Sequence, residues 1–173
     1  MCEQTWRVTM DYENYKSITW FHWEPTVIFI TTFVSIILLG TIIAIAYPLW
    51  NIRVIILSAI IFIPLIITLL YCPLYLKINN GTLIIRQIKG EMKIPITEIK
   101  SVTPINKTSI TSSIRVFGSG GLFGYLGIFK NNRIGKFHMY ATELTNLYTI
   151  QTSTKTYVIC CRNKALMQHI QMN

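Results

Sequence analysis

The stretch that decides the fold is residues 25–76, PTVIFITTFVSIILLGTIIAIAYPLWNIRVIILSAIIFIPLIITLLYCPLYL. Arg53 is its only Asp, Glu, Lys or Arg residue. A helix needs about 20 apolar residues to cross the hydrocarbon of a bilayer, and this run is long enough for two. Helices of soluble proteins keep one polar face, so an unusually apolar soluble core is the weaker alternative. The break PLWNIR at 48–53 predicts a turn, and the whole stretch predicts an antiparallel transmembrane hairpin.

Aromatic residues mark the ends of both predicted spans, where amphipathic rings prefer the headgroup region. They are Trp20, Phe21, Trp23, Tyr47, Trp50, Tyr71 and Tyr75. Basic residues indicate the orientation, because cytoplasmic flanks carry an excess of lysine and arginine. Four of them follow the second span within residues 77–93, whereas the predicted loop holds only Arg53. We therefore expect both termini on the cytoplasmic side.

The predicted spans contain hydroxyl groups but no internal charge that would mark an ion or proton path. We interpret the hairpin as an anchor rather than a transport pathway. Gly40 and Ala44 are spaced as a small-xxx-small pair, which is typical of closely packed membrane helices. Chance placement in an Ile-rich span explains the same pair equally well.

The hairpin divides the chain into a head at residues 1–24, the spans at 25–76 and a domain at 77–173. The formal net charge of +9 lies in the last part, which carries thirteen Lys and Arg against three Glu. The head does not match a cleavable signal peptide. The four cysteines show no Cys-x-x-Cys or Cys/His spacing, so neither a metal nor any other cofactor is expected.

The domain reads as a series of short strands separated by turns. Asn80-Gly81 is a strong two-residue hairpin signal, and alternation continues the meander to Ile96. Residues 97–105 fit either a short helix or a strand, and residues 107–113 are predicted to be a polar loop. A last hairpin is expected around Ser153-Thr154. Asn163 is the predicted N-cap of a C-terminal helix with an apolar face.

Four segments of this domain resemble a bacterial pleckstrin-homology-like (PH-like) domain. They are residues 94–102 (IPITEIKSV), 115–127 (RVFGSGGLFGYLG), 134–142 (IGKFHMYAT) and 155–159 (KTYVI). The resemblance covers most of residues 77–161 and implies seven strands in two bent sheets, with a C-terminal helix across one open end. It implies no catalytic residues. Such domains occur behind one or more membrane spans in many bacterial proteins. Together with the two predicted spans, the resemblance leads us to expect a multi-pass protein of the bacterial inner membrane.

The predicted fold class is therefore an α+β membrane protein. A transmembrane α-hairpin precedes a PH-like antiparallel β-barrel or sandwich that is capped by a C-terminal helix.

Five glycines in one run raise the question of a phosphate-binding loop. They are Gly118, Gly120, Gly121, Gly124 and Gly127. Glycine backbones approach anions closely, but neither the Walker pattern nor the dinucleotide pattern is present, because Phe123 occupies the sixth position counted from Gly118, where the dinucleotide pattern requires glycine. We interpret the run as structural, supplying bends, bulges or positive φ in a curved sheet.

Catalytic patterns are weak throughout the domain. His138 lies in an alternating segment without a carboxylate or cysteine at ligand spacing, and His22 and His169 are isolated. With three acids in residues 77–173, no paired carboxylates or Ser/His/Asp arrangement is recognisable. We expect a protein that is not an enzyme.

Four cations flank predicted turns and are the candidate binding residues. They are Lys89, Lys93, Lys130 and Arg133. Near a cytoplasmic leaflet each attracts anionic lipid by about 1 kcal/mol. The alternative is that cytoplasmic domains of membrane proteins are generally positive. We expect no nucleic acid partner, because the bilayer is the nearer polyanion.

The sequence thus predicts a membrane-anchored binding module that docks a protein segment, a peptide or an anionic lipid headgroup at the inner leaflet. The alternative is a structural or scaffold subunit of a membrane protein complex. The bilayer is the expected partner in both cases, with another membrane protein or anionic lipid as a possible second one.

Overall fold

The computed structural model describes residues 18–46 and 52–172 of the 173-residue chain. Residues 1–17 of the predicted head lie outside this range. So do residues 47–51, which hold Tyr47, Trp50 and most of the predicted turn. The side chain of Arg53 also lies outside the described part.

Two long helices occupy the apolar stretch, α1 at Pro25–Ala46 and α2 at Ile52–Leu70. Pro25 is the first residue of α1, where its missing N–H costs no helical hydrogen bond. Within the described residues one segment, Pro25–Ile43, is long and apolar enough to cross a membrane, and 6% of its most apolar window is buried. A single candidate anchor is therefore supported, and the two-span hairpin stays a prediction.

The domain begins earlier than the predicted boundary at 76. Helix α2 ends at Leu70, and Pro73 already opens strand β2. Proline lacks the N–H that a helix needs and disfavours helical backbone in the residue before it, which explains the early end. Residues Thr19–Trp20, predicted to belong to the head, form strand β1 and pair with Leu76 and Tyr75.

Among the described residues, ten strands form two sheets, whereas the resemblance implies seven strands. The first sheet has the order β1-β2-β3-β4 and the second β5-β9-β10-β8-β7-β6. The remaining strands are β2 (Pro73–Asn79), β3 (Thr82–Gln87), β4 (Gly90–Pro95), β5 (Ile99–Ile105), β6 (Ile114–Gly120), β7 (Tyr125–Asn131), β8 (Gly135–Ala141), β9 (Leu147–Thr152) and β10 (Thr156–Cys160).

Local turn signals are confirmed. Asn80 and Gly81 have φ of 47° and 67°, the positive values that a two-residue hairpin turn requires. The segment 97–105, left open between helix and strand, starts with the end of a 3-10 turn (Ile96–Glu98) and continues as β5. The predicted loop at 107–113 contains a short helix, α3, at Thr108–Thr111.

One strand pair departs from the antiparallel prediction. Strands β8 and β10 are parallel, with Tyr157 opposite His138. Residues 142–146 carry the chain past β8, so that β9 pairs with β5 and β10 and not with β8, the strand that precedes it in sequence. Neighbouring strands usually pair, and sequence alone gives no signal for this exception.

The main core lies between the two sheets and the C-terminal helix α4 (Lys164–Met172). Phe137, Leu83 and Ile150 are fully buried within it. Leu166 of α4 is also fully buried, so the helix covers the core as predicted. The side-chain oxygen of Asn163 accepts the N–H of Leu166 at 3.1 Å, which confirms the predicted N-cap.

The helices contact the domain at the turn between β6 and β7. The N–H of Phe123 donates to Thr31 Oγ1 of α1 at 3.1 Å. Phe123 also packs with Cys72 and Leu126 in a second apolar cluster, against Leu65 and Leu69 of α2. The domain is therefore held directly against the helices and not on a free linker.

Candidate functional site

The glycine run shapes strands β6 and β7. Gly118 lies opposite Gly127 in the ladder, and their φ values are +113° and +125°. A Cβ at Gly118 would overlap the carbonyl oxygen of Leu126, and a Cβ at Gly127 would overlap that of Phe117. A side chain at either position would collide with the backbone of the paired strand, so both glycines are required by the structure. Of the other three glycines in the run, Gly120 lies beside Arg115, Gly121 beside Ile30 and Gly124 beside Ala141.

Two of the four candidate cations have partners within the described part of the chain. Lys89 Nζ lies 3.5 Å from the centre of the Tyr71 ring, a cation–π contact. Lys93 Nζ lies 3.9 Å from Glu91 Oε2. Glu91 also pairs with Arg86 at 3.2 Å and Lys77 at 3.9 Å, so this carboxylate offsets part of the local positive charge.

The other two candidates, Lys130 and Arg133, lie at the opposite end of the domain from Lys89. Lys89 is next to the helices, because its N–H donates to the carbonyl of Leu70 at the end of α2. Lys130 and Arg133 flank the β7–β8 turn, at the end of β7 away from the helix contact at Phe123. The four cations therefore do not form one site, and only the Lys89 turn is next to a long helix.

The outer face of the six-stranded sheet changes character along its length. Cross-strand pairs on β7 and β8 run from Leu126–Tyr140 through Ile128–His138 to Lys130–Lys136. Residues two apart on a strand share one face, so these three pairs lie on one surface. It is apolar near the long helices and basic at the other end.

An apolar groove lies between α2 and the helix end of this face. Its volume is about 560 Å³, within the range of small-molecule sites. The lining residues are Pro64, Ile67, Thr68 and Tyr71 from the helix end, and Phe117, Gly118, Ser119, Leu126, Gly127, Ile128, His138 and Tyr140 from the sheet.

A polar cavity of about 430 Å³ occupies the other end of the face. Its walls combine two ammonium groups, one imidazole and four hydroxyl groups, from Lys136, His138, Thr152, Ser153, Thr154, Lys155 and Thr156. Burial lowers the pKa of His138, and the charges of Lys155 and Lys136 lower it further. The lowered pKa favours the neutral imidazole, and it reflects the charges of both Lys155 and Lys136 acting on His138.

Sequence reasoning did not single out Lys136 and Lys155. They lie 19 positions apart and meet because β8 and β10 run parallel in adjacent positions. The alternation of Lys136, His138 and Tyr140 placed them on one face, but nothing local in the sequence indicated that the Ser153-Thr154 turn would join that face.

Strand β6 forms an edge of the six-stranded sheet among the described strands. Ile114, Val116 and Phe117 are 74%, 58% and 71% exposed. Natural edge strands usually carry charges or are covered; β6 carries one exposed charge, Arg115, beside these three large apolar side chains.

The geometry contains no arrangement typical of metal binding: within residues 18–46 and 52–172, no three His, Cys, Asp or Glu side chains are grouped closely enough to hold an ion. His138 stacks obliquely beside Tyr157, with ring centres 5.7 Å apart. What the surface offers chemically is binding: an apolar groove, an anion-attracting cavity and an open strand edge.

Comparison with known proteins agrees with this description. Searches among curated proteins and among solved structures each found no match. A family model described as a bacterial PH domain matches residues 75–170, which confirms the resemblance carried by residues 94–102, 115–127, 134–142 and 155–159. The match covers more than half of the chain, and the protein therefore belongs to the bacterial PH domain family.

Proposed function

We propose that this protein is a non-catalytic, membrane-anchored module that docks an extended segment of a partner protein on strand β6. Membership of a PH-like family supports a binding role. In this proposal α1 and α2 both cross the bacterial inner membrane, and both termini and the PH-like domain lie on its cytoplasmic side.

The observation that carries the proposal is the exposed apolar edge of β6. An edge strand presents unpaired N–H and C=O groups, and an extended peptide can add to it as a further strand. Ile114 pairs with Lys130 of β7, and Phe117 pairs with Ile128. These side chains therefore lie on one face of the sheet. The apolar side chains offer contact area, and Lys130 favours an acidic residue in the partner.

The contacts between the domain and the helices support a location of this docking surface close to the membrane. The hydrogen bond from Phe123 to Thr31 and the cluster around Cys72 fix the domain to the helices. A partner recruited to β6 would thus be held close to the bilayer, which raises its effective concentration there.

Site-specific photocrosslinking in native membranes tests the proposal. A photoreactive residue at Ile114 should capture a protein through an extended segment with apolar and acidic residues. The same residue at Gln151, exposed on the interior strand β9 between β5 and β10, is the matched control and should capture none. Equal capture from both positions, or capture of lipid alone at Ile114, would contradict the proposal.

The scaffold alternative rests on a different observation, the exposed surface of α1. Phe29 and Phe33 stack with ring centres 6.0 Å apart and are 70% and 55% exposed. Gly40 on the same helix faces open space, where a second helix could approach closely. A photoreactive residue at Phe33 that captures a membrane protein rather than lipid would favour this function.

A further inference from the structure

We propose that the apolar groove beside α2 and the polar cavity beyond it form one site for a single anionic phospholipid. The acyl chains would lie against α2 in the groove, and the phosphate would lie between Lys136 and Lys155. The proposal rests on the membrane anchoring proposed above but not on the partner segment at β6.

The two cavities meet at one side chain. His138 lines both the apolar groove and the polar cavity. On the same face of β8, Tyr140 borders the first and Lys136 the second. Tyr140 lies four positions after Lys136 on the strand, a distance of about 13 Å. Over this distance the surface changes from apolar to cationic. The same distance is spanned in a phospholipid by the glycerol backbone and the adjoining part of an acyl chain.

The charge of the polar end selects an anion. Lys136 and Lys155 bring two positive charges to a cavity whose described lining contains no carboxylate. The hydroxyls of Ser153 and Thr154 add hydrogen-bond donors of the kind that bind phosphate oxygens. Thr152 is less available, because its hydroxyl already bonds to the backbone of Lys155. One acid acts on this face: burial raises the pKa of Tyr157, and the charge of Glu98 raises it further.

The apolar end selects a hydrocarbon chain. Ile67 and Pro64 of α2 form one wall, and Leu126 and Ile128 form the other. The adjoining surface of α2 is apolar as well, since Ile63 and Ile66 are 55% and 49% exposed. A lipid moving along α2 in the bilayer would reach the groove without leaving an apolar environment.

A ligand that carries both an anionic group and a hydrocarbon chain fits this site better than a soluble anion or a purely apolar molecule does. A soluble phosphate compound would leave the groove of about 560 Å³ unused. A purely apolar ligand would leave both lysines without a counter-charge. The site is built jointly by a membrane-proximal helix and the outer face of the sheet, so it is distinct from the turns that carry Lys89, Lys93 and Arg133.

The test uses the full chain in micelles of an uncharged detergent, titrated with dioleoylphosphatidylglycerol or dioleoylphosphatidylcholine and followed by native mass spectrometry. The two lipids share their chains and differ in net charge. We expect the anionic lipid to bind roughly tenfold more tightly or better, because both lysines attract its charged headgroup. The double variant Lys136→Gln/Lys155→Gln should abolish that preference.

Two further variants separate the outcomes. Lys100→Gln/Lys164→Gln removes the same charge from exposed positions outside the cavity and should keep the preference. Ile128→Trp, which fills the groove, should weaken binding of both lipids. Thermal unfolding should show that the Lys→Gln variants remain folded, because Lys136 and Lys155 are exposed.

Three results would overturn the proposal: equal affinity for the two lipids, an equal loss of preference in the control double variant, or full displacement of the lipid by equimolar glycerol phosphate, which would indicate a soluble anion as the ligand. Each of these results leaves anchoring and β6 docking untouched. Absence of α2 from the bilayer would instead appear as a failure of anchoring, with loss of the chain from membranes.

Discussion

The backbone N–H of Phe123 donates a hydrogen bond to Thr31 Oγ1 over 3.1 Å, and it joins residues 92 positions apart. One partner lies on the apolar helix α1, and the other lies in the turn between β6 and β7. Phe123 has a φ of +56°, an uncommon value for a large side chain. The bond therefore links the predicted anchor to a strained turn of the PH-like domain.

Replacing Thr31 with valine should weaken this junction. Valine keeps the size of threonine but leaves the N–H of Phe123 without its acceptor, which costs about 1–3 kcal/mol when the group is buried. Thermal unfolding in detergent measures the loss. Thr41→Val is the matched control, since Thr41 Oγ1 donates only to Leu38 O within the same helix, and we expect a change below about 0.5 kcal/mol there. Equal destabilisation by both variants would show that the junction bond is unimportant.

Gly127→Ala should be strongly destabilising. The position combines a φ of +125° with a carbonyl oxygen of Phe117 in the space of the new Cβ. Both strain and overlap oppose the folded state, and we expect a loss of about 2–4 kcal/mol. The measurement is the midpoint of thermal unfolding. Gly90→Ala serves as control because nothing lies within 4 Å of its Cβ; if it unfolds as early as Gly127→Ala, the close approach of β6 and β7 is not the cause.

The acid stability of the domain should depend on Glu143. This buried carboxylate is 5% exposed and lies 2.7 Å from Arg162 Nη2. Burial alone would raise the pKa of Glu143, but hydrogen bonds from Arg162 and Asn146 outweigh it and hold the pKa below its usual value. A lowered pKa in the folded state stabilises the fold above the unfolded-state pKa of about 4.3. That stabilisation is lost as pH falls through the folded-state pKa.

The variant Glu143→Gln should therefore unfold more easily than the parent protein at neutral pH. The difference between the two should shrink as the pH falls below about 4. Thermal unfolding between pH 3 and pH 7 would measure it. Glu98→Gln changes an exposed carboxylate and should give no such pH dependence. A difference that stays constant from neutral to acid would mean that the charge of Glu143 is not what stabilises the fold.

Local chemistry explains what the sequence predicted correctly. The Asn80-Gly81 turn and the Asn163 cap depend on neighbouring residues only, and both are present. The C-terminal helix covers the core as expected from its apolar face. Hydropathy located α1 and α2, although it placed the end of the second helix beyond Pro73.

The candidate site depends on contacts that are distant in sequence. Lys155 joins the face of Lys136 because β10 inserts beside β8 in parallel, and no local pattern specifies that order. The groove forms because α2 lies against β7, and no periodicity in the sequence predicts that contact. The chosen cations Lys89 and Lys93 flank a real turn, but their partners Tyr71 and Glu91 become visible only in three dimensions.

The apolar edge of β6 yields the most direct test of partner docking. Ile114 and Phe117 are 74% and 71% exposed, so the double variant Ile114→Ser/Phe117→Ser removes little buried area. We expect a change in folding free energy within about 0.5 kcal/mol. Capture of a partner by a photoreactive residue at Val116 should nevertheless fall by roughly tenfold or more, because apolar contacts on an added strand provide much of its affinity. Ile88→Ser, which alters an apolar residue that is 43% exposed at the β3–β4 turn, should leave capture unchanged. If the β6 variant captures as well as the parent protein, the exposed side chains of β6 do not bind the partner, and the edge itself loses its proposed role.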